Sequence, residues 1–225
     1  MQVVTLNTAG GITGGDVFQS NFLLEEGSAA TITTQAPERI YRALPFSPPA
    51  SVRHSVTLGP GAMVEWLPQE TILFNGAFLR RQLCVTLAAD SCFLGVEAVV
   101  FGRTQRGERV SSGFLSDTVR IVRDGALLLH DAVHLSGPIA DILARPAVAR
   151  GGVAVATLWF VSPDAAAALE AVRAVLKEED SGASVWNNML VSRIVAREGA
   201  GLRARLISLL QVLRKGEKLP RVWMC

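Results

Sequence analysis

Four glycines, Gly10, Gly11, Gly14 and Gly15, crowd one loop of "LNTAGGITGGDVFQSNF", and Asp16 closes it. Glycine-rich loops often cradle phosphate, and Gly10 to Gly15 has the spacing of a Walker loop. Asp16 sits where the lysine belongs, and a carboxylate there repels phosphate. The dinucleotide pattern GxGxxG also fails, and no alternating strand–helix run follows. The local reading is a tight turn before a strand, or a backbone loop that makes room for a partner.

The three histidines are His54, His130 and His134. His130 and His134 lie in "LLLHDAVHL", which reads as a strand, where four residues span about 13 Å. Two imidazoles on one ion must lie within about 4 Å of each other, so one strand cannot deliver both. His54 is in phase with Val52, Val56 and Leu58, as a satisfied core histidine would be. No tight metal site is expected. Cys84 and Cys92 sit in apolar strands, where thiols are usually inert, and no GxSxG elbow is present. Glu65 and Glu70 are the pair a hydrolase would use, but five apart on a strand they face opposite sides. Glu38 beside Arg39, and Glu70 inside an apolar stretch, need partners if buried; structural ion pairs with the many arginines are the bland reading.

The elements that position these residues are mostly strands. "VRHSVTL-GPG-AMVEWLP", "TILF-NG-AFLRRQLCVTL" and "TVRIVR-DG-ALLLHDAVHL" read as hairpins. Ser162, Pro163 and Asp164 suit the start of a helix through "AAAALEAVRAVLKEED", with Leu169, Val172 and Leu176 on one face. Leu202, Leu206, Leu209 and Leu213 recur at helical spacing, and Gly216 can end that helix. The expected fold is mainly β: a single domain of stacked antiparallel or meander strands, solenoid- or sandwich-like, with two helices near the C-terminus.

The chain has 225 residues, 49% hydrophobic and 19% charged, enough for a sizeable core and unlike a disordered chain. No apolar run approaches the roughly 18 to 20 residues needed to span a bilayer. No secretory signal is visible, and three cysteines without CxxC suit a reducing compartment, so the cytoplasm is expected. A net charge of +2 gives no case for nucleic acid. Residues 200 to 225 are basic, with Arg203, Arg205, Arg214, Lys215, Lys218 and Arg221 against Glu217, which fits an acidic partner or a solvated helix face. A mean hydropathy of +0.32 also argues for a partner.

"NTAGGITGGD", "QAPERIYR", "EWLPQETILFNGA", "FGRTQRGE" and the terminal "LPRVWMC", in that order, resemble the urease accessory protein family UreD, called UreH in some bacteria. The resemblance runs from Leu6 to the C-terminus. It implies a mainly β fold with two helices, over one UreD-like domain spanning 1–225. Members usually carry further N-terminal strands, which the resemblance leaves missing here. It implies a maturation chaperone, not an enzyme. Such proteins bind apo-urease with a UreF-type accessory protein and a UreG-type GTPase, and GTP hydrolysis drives nickel insertion. GTP then belongs to the partner, and Ni²⁺ is only transient. Asp16, Glu38, Glu70 and Glu108, with Arg39 and Arg103 beside them, are candidates for a hydrated nickel route or partner contacts. Arg203, Arg214, Leu219, Pro220, Arg221 and Trp223 are candidates for docking the UreF-type partner. The alternative is a β-rich interaction scaffold with no part in metal transfer.

Overall fold

The computed structural model describes residues 1–103, 106–176 and 180–224. Thr104 and Gln105 of the "FGRTQRGE" motif, Lys177 to Glu179 and Cys225 lie outside the described residues.

The first half is built as coils. β2 (Val17–Leu24), β5 (Ala50–Leu58) and β8 (Phe78–Leu87) lie side by side in one sheet. A short arc carries each across to a second sheet, into β3 (Ala29–Thr34), β6 (Met63–Leu67) and β9 (Cys92–Phe101). Every pairing among these strands is parallel. β1 (Gln2–Thr5) flanks β3, and the short β4 (Glu38–Ile40) and β7 (Thr71–Leu73) extend the second sheet on the return path. β10 (Gly113–Arg123) and β11 (Ala126–Gly137) complete the five-stranded sheet, in the order β11-β10-β8-β5-β2. β12 (Ala154–Val161), β13 (Ser181–Trp186) and β14 (Met189–Ala196) complete the nine-stranded one.

Two of the three expected hairpins are therefore arcs between sheets. The strands around Gly59–Gly61 and around Asn75-Gly76 do not pair with each other. The physical reason is visible in β9, where nine of ten residues are buried. A strand covered on both faces sits between two packed layers, so the strands leading to it cross from sheet to sheet instead of folding back as half-exposed hairpins. Asn75 is occupied elsewhere: its Oδ1 accepts from the Ser112 amide at 3.0 Å. The third hairpin, β10–β11, forms as expected, with Asp124 at φ 50° and Gly125 at φ 75°. A hairpin not expected, β13–β14, turns on Asn187 and Asn188, both at positive φ.

α1 (Ile139–Leu143) is a short turn of helix after β11. α2 (Ala165–Val175) and α3 (Gly199–Leu213) are the two expected C-terminal helices. Ser162 Oγ accepts from the Asp164 amide at 3.1 Å, so the serine shapes the turn before α2 rather than capping its first residue. Leu202, Leu206, Leu209 and Leu213 of α3 are buried on the outer face of the nine-stranded sheet, against Leu158, Leu190 and Ile194. Between the sheets, Val56, Phe93, Ile121 and Trp159 form a second core. The architecture is mainly β with helices near the C-terminus, as the residues imply.

Candidate functional site

The glycine-rich loop makes a tight turn. Asp16 Oδ2 accepts from the Thr13 amide at 2.8 Å, and Gly10 and Gly15 take φ of 78° and 91°. A Cβ on Gly11 would meet Tyr41 Cε2 at 2.2 Å, so the loop packs directly on "QAPERIYR". These two motifs, with Trp66, Pro68, Gln69 and Thr71, surround one cavity of about 370 Å³ between the sheets. Asn7, Gly10 and Ile12 line it from the loop, and Gln35 to Ile40 from the second motif.

Glu38 faces this cavity. Its Oε1 accepts from Asn7 Nδ2 at 3.0 Å, and burial raises its carboxyl pKa. No ion pair joins it to Arg39, whose side chain is exposed. His54 also lines the cavity, 2.6 Å from the Ser20 hydroxyl through Nδ1 and with its ring 5.0 Å from Trp66. Burial, helped by the charge of Arg81, pushes its pKa down to about 4, so it is neutral at pH 7.

The inner end of the cavity is ionic. Arg81 on β8 meets Glu97 on β9 at 2.6 Å and Asp117 on β10 at 2.5 Å. It also donates to Thr71 Oγ1 at 2.9 Å, and Trp66 Nε1 donates to Glu97 Oε1 at 2.9 Å. Arg81 is 5% exposed and Glu97 7%. Two carboxylates share one guanidinium away from water. Burial raises the Glu97 pKa; the attraction of Arg81 lowers it and the repulsion of Asp117 raises it again. Arg81 and Glu97 also line a second cavity of about 40 Å³, with Asp117, Asp131 and Trp159. The ion pair is thus a wall shared by two internal spaces.

The other carboxylates lie elsewhere. Glu70 points to the opposite face of the nine-stranded sheet from its neighbour Thr71. There Arg203 of α3 reaches both its oxygens, at 3.2 and 3.1 Å. Glu65, on the same side, takes Arg214 Nε at 2.6 Å. Glu108 pairs with Arg103 at 2.9 Å, and that hydrogen bond lowers its pKa. Arg103 in turn stacks on Phe74 at 4.6 Å. Of the four carboxylates expected along one route, only Glu38 lines the larger cavity. The ion-pair reading holds for Glu70 and not for Glu38.

The C-terminal residues expected to face a partner turn inward. Leu219 is 8% and Trp223 2% exposed, and Pro220 is buried. Trp223 Nε1 donates to the Leu67 carbonyl at 3.0 Å. Arg203 donates to the Trp223 carbonyl at 3.0 Å and stacks over its ring. Arg214 holds the carbonyls of Glu217 and Lys218. Chain-end carbonyls and sheet carboxylates consume these guanidiniums, so this basic stretch closes the fold on itself. Arg221 remains at the exposed surface.

His130 and His134 stand on the exposed face of β11, opposite Arg120 and Ser116 respectively. Cys84 and Cys92 are half-buried rather than fully buried. Among the described residues, no three His, Cys, Asp or Glu side chains are grouped to hold a metal ion. Arg81, Glu97 and Asp117 were not picked out by the sequence reading. One signal was available: Glu97 is the lone charge in "CFLGVEAVVF".

A two-sheet coil, parallel in its first half and closed on one side by helices, holding a mostly apolar cavity with a few polar groups where the distinctive motifs meet, defines a β-rich protein organised around its interior. The family model described as UreD urease accessory protein matches residues 1–224. The chain belongs to this family. It is 43% identical to the urease accessory protein UreD of Azorhizobium caulinodans, over 98% of this chain and 81% of that one. It is 44% identical to the UreD of Rhizobium leguminosarum bv. viciae, over 99% and 81%. Membership supports a role in urease maturation, and the accessory-protein names fit a protein that is not itself an enzyme. No helix among the described residues is long and apolar enough to cross a membrane.

Proposed function

We propose that this protein assists GTP-dependent nickel insertion into apo-urease, in the cytoplasm, together with a UreF-type accessory protein and a UreG-type GTPase. GTP is bound by the GTPase, and Ni²⁺ is cargo rather than a resident ion. One observation carries the reading: three family motifs converge on a single cavity that presents Glu38 at its side and Glu97 at its inner end. Carboxylates and water hold Ni²⁺ less firmly than thiolate or imidazole sets, which suits passage over storage. Glu38 and Glu97, rather than Glu70 or Glu108, are the carboxylates on this route; Asp117 and Asp131 continue it beyond the Arg81 wall. Asp16 shapes the entrance loop.

The test is nickel per urease after maturation in a gene cluster whose UreD-type gene is replaced by this chain. The double variant Glu38→Gln, Glu97→Gln should lower nickel content while the accessory complex still assembles. Glu70→Gln should leave loading near wild type. Unchanged loading in the double variant would refute the route. Urease binding with no influence on nickel content would favour a scaffold without metal transfer.

A further inference from the structure

The two outer surfaces of the molecule are treated differently. α2 and α3 cover the nine-stranded sheet, while no element among the described residues covers the outer face of the five-stranded sheet. The register of that sheet decides what the bare face presents. Arg53 pairs with Gln82, Arg80 with Ser51 and Ser116, and Arg120 with Cys84 and His130. Arg53, Arg80, Arg120, His130 and His134 are exposed.

The five strands hold only two acidic residues, Asp117 and Asp131. Both point inward, Asp117 to Arg81 and Asp131 to Arg193. The outward face therefore carries arginines and histidines and no carboxylate. Most exposed arginines elsewhere have partners, as Arg103, Arg109 and Arg173 do. Arg53, Arg80 and Arg120 are outside every hydrogen bond and ion pair of the described residues.

We propose that the outer face of the five-stranded sheet docks an acidic surface of a partner protein. Guanidinium forks pair with carboxylates in bidentate fashion, and arginine is enriched at interfaces while lysine is depleted. The five strands contain no lysine. A second copy of the chain is a poor occupant, because like faces repel. Nucleic acid fits less well. The aromatic rings on this face, Phe78 and Phe114, pack edge-on against each other and against His134 instead of offering faces to bases. This inference does not depend on the nickel route.

The probe is fluorescently labelled poly-L-glutamate, titrated with the full chain and followed by anisotropy at low and moderate salt. Wild type should bind saturably, more weakly as salt rises. The variant R53E/R80E/R120E should lose about tenfold or more in affinity, three exposed pairs together being worth about that. The control R106E/R145E/K218E, with the same change in net charge, should stay close to wild type. Circular dichroism checks the fold of each, and R53Q/R80Q/R120Q replaces the reversal if it misfolds. Equal loss in both variants would reduce the effect to net charge and overturn the proposal. So would tighter binding to duplex DNA of matched charge than to polyglutamate.

Discussion

The nine-stranded sheet carries buried arginine–carboxylate pairs on both faces, and they differ in what surrounds them. On the helix side, Arg203 meets Glu70 and Arg214 meets Glu65, with chain-end carbonyls taking the remaining donors. On the inner side, Arg81 meets Glu97 and Asp117 between two cavities. The outer pairs fasten the C-terminal helix and tail to the sheet. The inner one has two carboxylates for one cation and open space on either side. The same chemistry is a clasp where packing is complete and a wall between compartments where it is not.

The sharpest way to break this comparison is to remove one cation from each side. Arg81→Ala strands two buried carboxylates and should cost about 3–5 kcal/mol in urea unfolding. Arg214→Ala should cost less, about 1–3 kcal/mol, because Glu65 keeps its Thr31 partner. Equal losses would erase the distinction.

Acid should probe the inner side next. The folded pKa of His54, about 4, lies below its ordinary 6.5. Between those values the unfolded chain binds a proton that the folded chain refuses. The stability His54 contributes is thus present above pH 6.5 and lost as pH falls toward 4, by about 3 kcal/mol. His54→Phe should flatten that slope in thermal melts against pH. The difference between wild type and variant isolates His54 from Glu97, whose raised pKa gives a slope of opposite sign.

A smaller effect sharpens the functional side. Glu97→Gln and Glu70→Gln should each shift stability by about 1–3 kcal/mol. Only Glu97→Gln should also lower nickel per urease; equal deficits would put both faces on the route. Smallest of all, Lys215→Ala removes an exposed pair with Asp164 and should leave the melting temperature unchanged.

Deleting residues 216–225, an obvious way to test docking by the basic C-terminus, would uncover the Trp223 site on Leu67. Loss of a complex after that truncation would report unfolding of the tail as readily as a lost contact.

Much was legible in the residues themselves. The leucine spacing of α3, the Asp124-Gly125 turn and the tight turn of the glycine-rich loop follow from short-range rules, and the structure repeats them. The ordered motifs led to the family. What local pattern could not supply was the pairing of strands. An apolar strand reads alike whether its neighbour is the next strand in sequence or one a whole coil away. The arcs at Gly59–Gly61 and Asn75-Gly76 were therefore indistinguishable from hairpins. The same ignorance hid the site. Arg81, Glu97 and Asp117 are 16 or more residues apart, and parallel register alone brings Arg81 beside Asp117. The sequence determined which side chains must find partners if buried. Tertiary structure decided that Glu70 finds its arginine on the helix side, that Glu97 finds one between two cavities, and that Arg53, Arg80 and Arg120 find no partner among the described residues, because strand alternation and stacking order set the face on which each charge emerges.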